Sequence, residues 1–161
     1  MSIDRIPLPS TDGALWLCGR ADIATDPDAT LAWADGATTA VCLNPIDELE
    51  VRFANYVEWL KQNRGGKALW FPIGNFGAPS LESALPFLRL ITARLERGEG
   101  VVMHCAAGQG RAGTMAVCVL ILLGASKDEA LRTVASQRAF AGPGEFSQHA
   151  LVNGVTNASR D

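Results

Sequence analysis

Short apolar runs alternate along this chain with longer stretches of helical periodicity. Residues 14–18 form the first apolar run and predict a strand. Thr38-Thr39-Ala40-Val41-Cys42-Leu43 predicts a second strand, ended by Asn44-Pro45. Residues 68–73 predict a third. Gly100-Val101-Val102-Met103, short and β-branched, predicts a fourth. Between them lie helix patterns. Asp26 caps a helix with Pro27 at its first position, running through Gly36. Residues 48–62 place Val51, Phe53, Ala54, Val57 and Leu60 on one buried helix face. Ser83 is a candidate cap for the next helix, which puts Pro86 in its first turn, where no hydrogen bond is lost, and ends at Arg97-Gly98. A helix over 112–123 stops at Gly124. Ser126-Lys127-Asp128-Glu129 reads as a capping box opening a helix through Arg138. A last short helix covers 145–153. Strands alternating with helices predict an α/β fold, a mostly parallel central sheet with helices on both faces.

Composition narrows this picture. The chain has 161 residues, enough for one domain, 1–161, with a substantial core. Hydrophobic residues are 48% and charged residues 19%, as in globular and not disordered chains. The net charge is −3 and no basic run occurs, which argues against nucleic acid or an anionic membrane as partner. The first ten residues lack an apolar core of signal-peptide length. The longest apolar run, 115–123, is too short to span a bilayer. Cys18, Cys42, Cys105 and Cys118 have no framework spacing, so they read as reduced thiols of a cytoplasmic protein. Cys18 and Cys118 read as core residues. His104 and His149 are the only histidines, so no metal site is expected.

The chemistry concentrates in His104-Cys105-Ala106-Ala107-Gly108-Gln109-Gly110-Arg111, between the fourth strand and an apolar helix. A loop closing onto a helix N-terminus aims several backbone N–H groups at one point, which stabilises an anion. Its glycines let the backbone curl closely around that anion. Arg111 offers a planar fork that can hold two phosphate oxygens at once. The same positive potential favours the thiolate of Cys105. Ala106, Ala107, Gly108, Gln109, Gly110 and Arg111 are thus candidate phosphate-binding residues and Cys105 a candidate nucleophile.

The His-Cys, five residues, Arg pattern resembles the Cys-dependent protein phosphatase superfamily. The Ala-Gly-x-Gly-Arg wording resembles its dual-specificity branch, including kinase-associated phosphatase and the phosphatases of regenerating liver. The resemblance implies that family's fold. It also implies two-step phosphomonoester hydrolysis through a phosphocysteine on Cys105, with no metal or cofactor. His104 is then a loop-orienting residue, bonding backbone carbonyls. Phe71-Pro72-Ile73-Gly74-Asn75-Phe76-Gly77-Ala78-Pro79 is similar to the family's acid loop, but Asn75 stands at the position of the general-acid Asp. An amide cannot donate a proton as that acid does, and such a loss costs roughly 10²–10⁴-fold with a poor leaving group. Asp47 or Glu145 is an alternative source of the proton. Ala112 stands where the family usually has Ser or Thr to help sulfur leave phosphorus, and Thr114 lies about 200° around the helix from it. Slow breakdown of the phosphoenzyme is implied. Gln148 stands where some branches carry a Gln that positions the hydrolytic water. Arg138 resembles a family Arg that anchors the helix it ends, a structural role. Cys42 lies near a position where some relatives carry a Cys that forms a reversible disulfide with the nucleophile; a small buried hydrophobe is the other reading.

The expected substrate is a phosphorylated protein or small phosphomonoester. Ala106, Ala107 and Gln109 carry no charge for additional phosphates, which argues against inositol lipids. Tyr56, the single Tyr, lies in a helix pattern and not in a recognition loop, so a shallow site for phosphorylated Tyr, Ser or Thr is expected. A silent pseudophosphatase that binds a phosphorylated partner is the alternative function; a persulfide carrier on Cys105 is a third, disfavoured by the long helix after the loop and by the Pro-bounded loop 72–79.

Overall fold

The computed structural model describes residues 2–160. One five-stranded sheet carries the fold. Its strands are β1 (Ile3–Ile6), β2 (Ala14–Gly19), β3 (Thr39–Cys42), β4 (Ala68–Trp70) and β5 (Gly100–Cys105), in the spatial order β1-β2-β5-β3-β4. β1 runs antiparallel to β2, and the other pairs are parallel. The seven α-helices among the described residues are α1 (Arg20–Ala24), α2 (Pro27–Trp33), α3 (Ala54–Gln62), α4 (Leu81–Glu96), α5 (Gly110–Leu122), α6 (Lys127–Gln137) and α7 (Phe146–Ala158). The α/β class with a mostly parallel sheet and helices on both faces is as expected.

Residue alternation along β5 divides the core. Val101, Met103 and Cys105 face α4, α5, α6 and α7. Val102 lies on the other face, toward α1, α2 and α3. His104 shares that second face, where it meets Tyr56 of α3. α5 is the central helix. Its residues from Arg111 to Ile121 are all buried, which explains why its sequence is apolar on nearly every side. No helix among the described residues is long and apolar enough to cross a membrane.

Several expectations need correction. β1 is not legible in the sequence: Ile3 and Ile6 are buried, but Asp4 and Arg5 interrupt the run. The 48–62 stretch is not one helix. A 3-10 turn, Ile46–Glu48, precedes α3, and Val51 is 93% exposed. Helical apolar spacing gave way there to Arg20 and Arg111, which hold Glu48. Ser80, not Ser83, caps α4, with its hydroxyl accepting from the Ser83 amide. Pro86 therefore lies inside α4, beyond the first turn. The helix survives the lost hydrogen bond because Ala84, Phe87, Leu88, Ile91 and Leu95 are buried along one side. α7 also runs past 153 to Ala158, with Val155 fully buried.

Candidate active site

Cys105 is the last residue of β5, and the loop 106–109 joins it to α5. The Cys105 side chain is 3% exposed, at the floor of a cleft of about 290 Å³. The amide of Ala112 points at its Sγ from 3.5 Å. The loop carbonyls are tied outward. Ala106 O accepts from the Arg20 amide at 3.1 Å, and Gln109 O from the Gly113 and Gly142 amides at 3.0 Å each. Ala107 O and Gly108 O accept from Arg138 Nη2 and Nε at 2.7 and 3.0 Å. Across a trans peptide the N–H points opposite its C=O. The amides of residues 107–110 therefore turn inward, a concave set of donors at the start of α5. Gly108 has φ +72, and a Cβ there would overlap the Cys18 carbonyl. Only glycine permits this loop to close so tightly.

Arg138 holds more than the loop. Its Nη1 also donates to Asp4 Oδ2 at 2.8 Å and to Ser2 O at 3.0 Å, joining β1 to the loop 106–109. The sequence reading has Arg138 anchor its own helix; its guanidinium instead holds the loop 106–109 and β1.

His104 is fully buried. Its Nδ1 lies 3.4 Å from Cys105 O, and its Nε2 is 2.6 Å from the Tyr56 hydroxyl. Burial, with the nearby Arg111 and Arg20 charges, drives its pKa down to about 4 against the opposing hydrogen bond to Cys105. A neutral imidazole that donates from Nδ1 and accepts at Nε2 satisfies both contacts. Tyr56 is thus a core partner of His104, not a substrate-recognition residue.

Arg111 is buried, and Glu48 holds it end-on. Nη1 and Nη2 donate to the two Glu48 oxygens at 2.9 Å each, and Nη1 donates also to Ile73 O at 2.8 Å. Among the described residues nothing engages Nε, so the Nε–Nη2 edge is open for two phosphate oxygens. Burial pushes the Glu48 carboxyl up, but hydrogen bonds from Arg111 and Asn44 and the charges of Arg111 and Arg20 outweigh it. The carboxyl is held below its ordinary value. Sequence reading missed Glu48 as a site residue. Asn44-Pro45 at the end of β3 was the available signal, since a loop at a parallel strand's C-terminal end is where ligands gather. Replacing Glu48 by Gln should lower kcat/KM for p-nitrophenyl phosphate by about tenfold, through loss of a charge-assisted pair that aims the fork. The ionised pair contributes stability fully above the unfolded carboxyl value and loses it as pH falls through the lower folded value. The stability gap between wild type and Glu48→Gln in urea unfolding should therefore narrow below about pH 4.5. A gap that widens on acidification would contradict the pair's role.

The remaining candidates sort by position. Asn75 and Gln148 line the cleft with Cys105, Arg111 and Glu145. Asn75 Oδ1 accepts from the Phe76 amide at 3.1 Å. Gln148 is 2% exposed. Its Oε1 accepts from the Gly144 and Glu145 amides at 2.9 and 3.2 Å, and its Nε2 donates to Gly77 O at 3.3 Å. It ties the Asn75 loop to the start of α7. Of the two alternative carboxylates, Glu145 lines the cleft, whereas Asp47 is exposed in the turn after β3 and does not. Thr114 Oγ1 donates to Gly110 O, turned away from the task of a hydroxyl at position 112.

Cys42 is not brought to Cys105. It pairs in register with His104, so its side chain lies on the α3 face of the sheet while Cys105 lies on the α5 face. Burial pushes the Cys42 thiol up to about 12, and a neutral thiol is a poor partner for exchange. Cys18 and Cys118 are core residues, and burial raises both thiols.

Comparison with known proteins bears on this cleft. A family model described as a polymorphic toxin system DSP-PTPase phosphatase matches residues 32–125. The crystal structure of Tk-PTP in its active form is 26% identical, covers 95% of this chain and 96% of its own, and superposes with a TM-score of 0.69. Kinase associated phosphatase carrying a serine for its catalytic cysteine is 17% identical, covering 99% and 96%, with a TM-score of 0.75. Human DUSP28 is 18% identical, covering 98% and 95%, with a TM-score of 0.68. The last two show the fold alone.

Proposed function

The chain belongs to the DSP-PTPase phosphatase family of polymorphic toxin systems, and on that premise we propose that it hydrolyses phosphomonoesters through a phosphocysteine on Cys105, on phosphorylated Tyr, Ser or Thr of proteins. One observation carries this reading. Cys105 lies at the floor of a cleft beneath inward-turned amides, with the free edge of Arg111 beside it. Sulfur attacks phosphorus while the amides and Arg111 stabilise the spreading negative charge. The P–O bond to the leaving group breaks, and with an amide at position 75 that oxygen takes its proton from water. Water then attacks phosphorus, the P–S bond breaks, and phosphate and thiolate are released.

Two residues make the reaction slow. Asn75 cannot protonate the leaving oxygen, and Ala112 gives the departing sulfur an amide donor but no hydroxyl. The same two residues favour a second reading, a pseudophosphatase that holds a phosphorylated partner without turnover. A binding site has no use for a nucleophile beneath its donors, which favours the enzyme. Turnover of p-nitrophenyl phosphate, with mass spectrometry of Cys105, separates the two: a phosphorylated Cys105 peptide and steady product are expected. Tight phosphopeptide binding with neither would establish the pseudophosphatase. In single-turnover experiments Ala112→Ser should speed decay of the phosphocysteine by up to about tenfold, the worth of one added hydrogen bond to a charged group. Unchanged decay would mean that water access, not sulfur departure, limits the step.

A further inference from the structure

Three of the six phenylalanines are buried or half-buried, and three are exposed. Two of the exposed ones, Phe76 at 68% and Phe140 at 90%, line the Cys105 cleft from separate loops. Neither belongs to the core clusters. Their backbones are alike. Phe76 is the third residue of a turn closed by the Gly77 amide on Gly74 O at 2.9 Å, with φ 64. Phe140 is the third residue of a turn closed by the Ala141 amide on Arg138 O at 3.0 Å, with φ 65. A positive φ at that turn position favours glycine, and a bulky residue there is strained. Two strained, solvent-exposed aromatic rings at the mouth of one cleft contribute nothing to the core. Strain held at such a place points to a ligand contact.

The chemistry of the cleft selects the ligand. Arg111 is the one cation among its described lining residues, and Glu145 is an anion on its rim. A second phosphate would find no partner, and an anionic leaflet would meet a chain of net charge −3. A phosphate carried on an aromatic ring would set its anion over Cys105 and its ring against Phe76 and Phe140. A phosphoserine or phosphothreonine is shorter. It would draw the peptide backbone down onto the two rings, where its polar groups lose water without gaining partners. We propose that Phe76 and Phe140 form an aromatic clamp that selects phosphotyrosine over phosphoserine and phosphothreonine. The selection rests on the phosphatase reading above for its consequence, but not for its measurement.

The full chain carrying Cys105→Ser is titrated calorimetrically with a phosphotyrosine peptide and with the same peptide bearing phosphoserine. The phosphotyrosine peptide should bind about tenfold more tightly, within the range of aromatic contacts. Adding Phe140→Ala or Phe76→Ala should remove most of that preference, and Phe140→Tyr should keep it. Phe140→Gly should raise the Tm, because glycine relieves the strained turn, and yet still lose the preference. A residue kept only for structure would not part stability from selectivity in this way. Equal affinity for the two peptides, no binding of either, or tighter binding to vesicles containing phosphatidylinositol phosphate would each overturn the clamp. Wild-type turnover is read separately. Binding preference without any Cys105-dependent turnover would overturn the phosphatase reading and leave the clamp standing.

Discussion

Cys105→Ser is expected to reduce turnover of p-nitrophenyl phosphate to below about one hundredth of wild type, since removing a nucleophile normally costs far more than that. The loss should fall on chemistry and not on binding. The proposed phosphate cradle is made of backbone amides and Arg111, whose geometry does not depend on sulfur. Its carbonyls are held by Arg20, Arg138, Gly113 and Gly142, and Arg111 by Glu48 and Ile73. A serine hydroxyl is smaller than the thiol and loses only the 3.5 Å contact from the Ala112 amide. Affinity for inorganic phosphate should therefore stay close to wild type. Residual activity above a hundredth would mean that Cys105 is not the attacking atom. Loss of phosphate binding together with activity would mean that the loop depends on the thiol for its shape.

How far the sequence reveals this site depends on how local each part is. The strand, loop and helix that hold Cys105 and Arg111 are contiguous, and two glycines and an apolar strand mark them. Every group in that unit comes from one short segment, so its spacing marks the unit, although Arg20, Arg138, Gly142 and Glu48 hold its shape from elsewhere in the chain. Asn75 is legible because prolines bracket its loop. Glu48 is different. Its partner Arg111 lies 63 residues away, and nothing in the apolar spacing of 48–62 reveals that a long-range ion pair overrides helix propensity. β1 is hidden for a related reason. Its four residues gain their order from β2 and from the Arg138–Asp4 pair, a contact across 134 positions. Nothing in the sequence singles out Phe76 and Phe140 as a pair, because a positive φ at a non-glycine residue leaves no mark in composition. The Cys42 reading fails on alternation. Its register opposite His104, rather than opposite Cys105, puts it on the wrong face of the sheet.

Asn75→Asp should raise turnover of a phosphotyrosine peptide by up to about 10²-fold, and that of p-nitrophenyl phosphate far less. The two substrates share nucleophile and cradle but differ in the basicity of the oxygen that leaves. A phenolate of tyrosine needs a proton as the P–O bond breaks, whereas p-nitrophenolate departs readily without one. Residue 75 lines the cleft with Cys105, within a turn that Gln148 ties to α7 through Gly77 O. A local hydrogen bond limits the gain. The Phe76 amide donates to Asn75 Oδ1 at 3.1 Å, and the same bond to a carboxylate would favour the charged form, which cannot donate a proton. Only the fraction of the introduced carboxyl that holds its proton at the working pH is active, so the variant should show a falling alkaline limb that wild type lacks. Equal small effects on both substrates would show that position 75 does not reach the leaving oxygen. Glu145, the carboxylate on the same cleft, would then be the residue to change next: Glu145→Gln should reduce peptide turnover selectively if it supplies the proton, and leave the ratio of the two substrates unaltered if it does not.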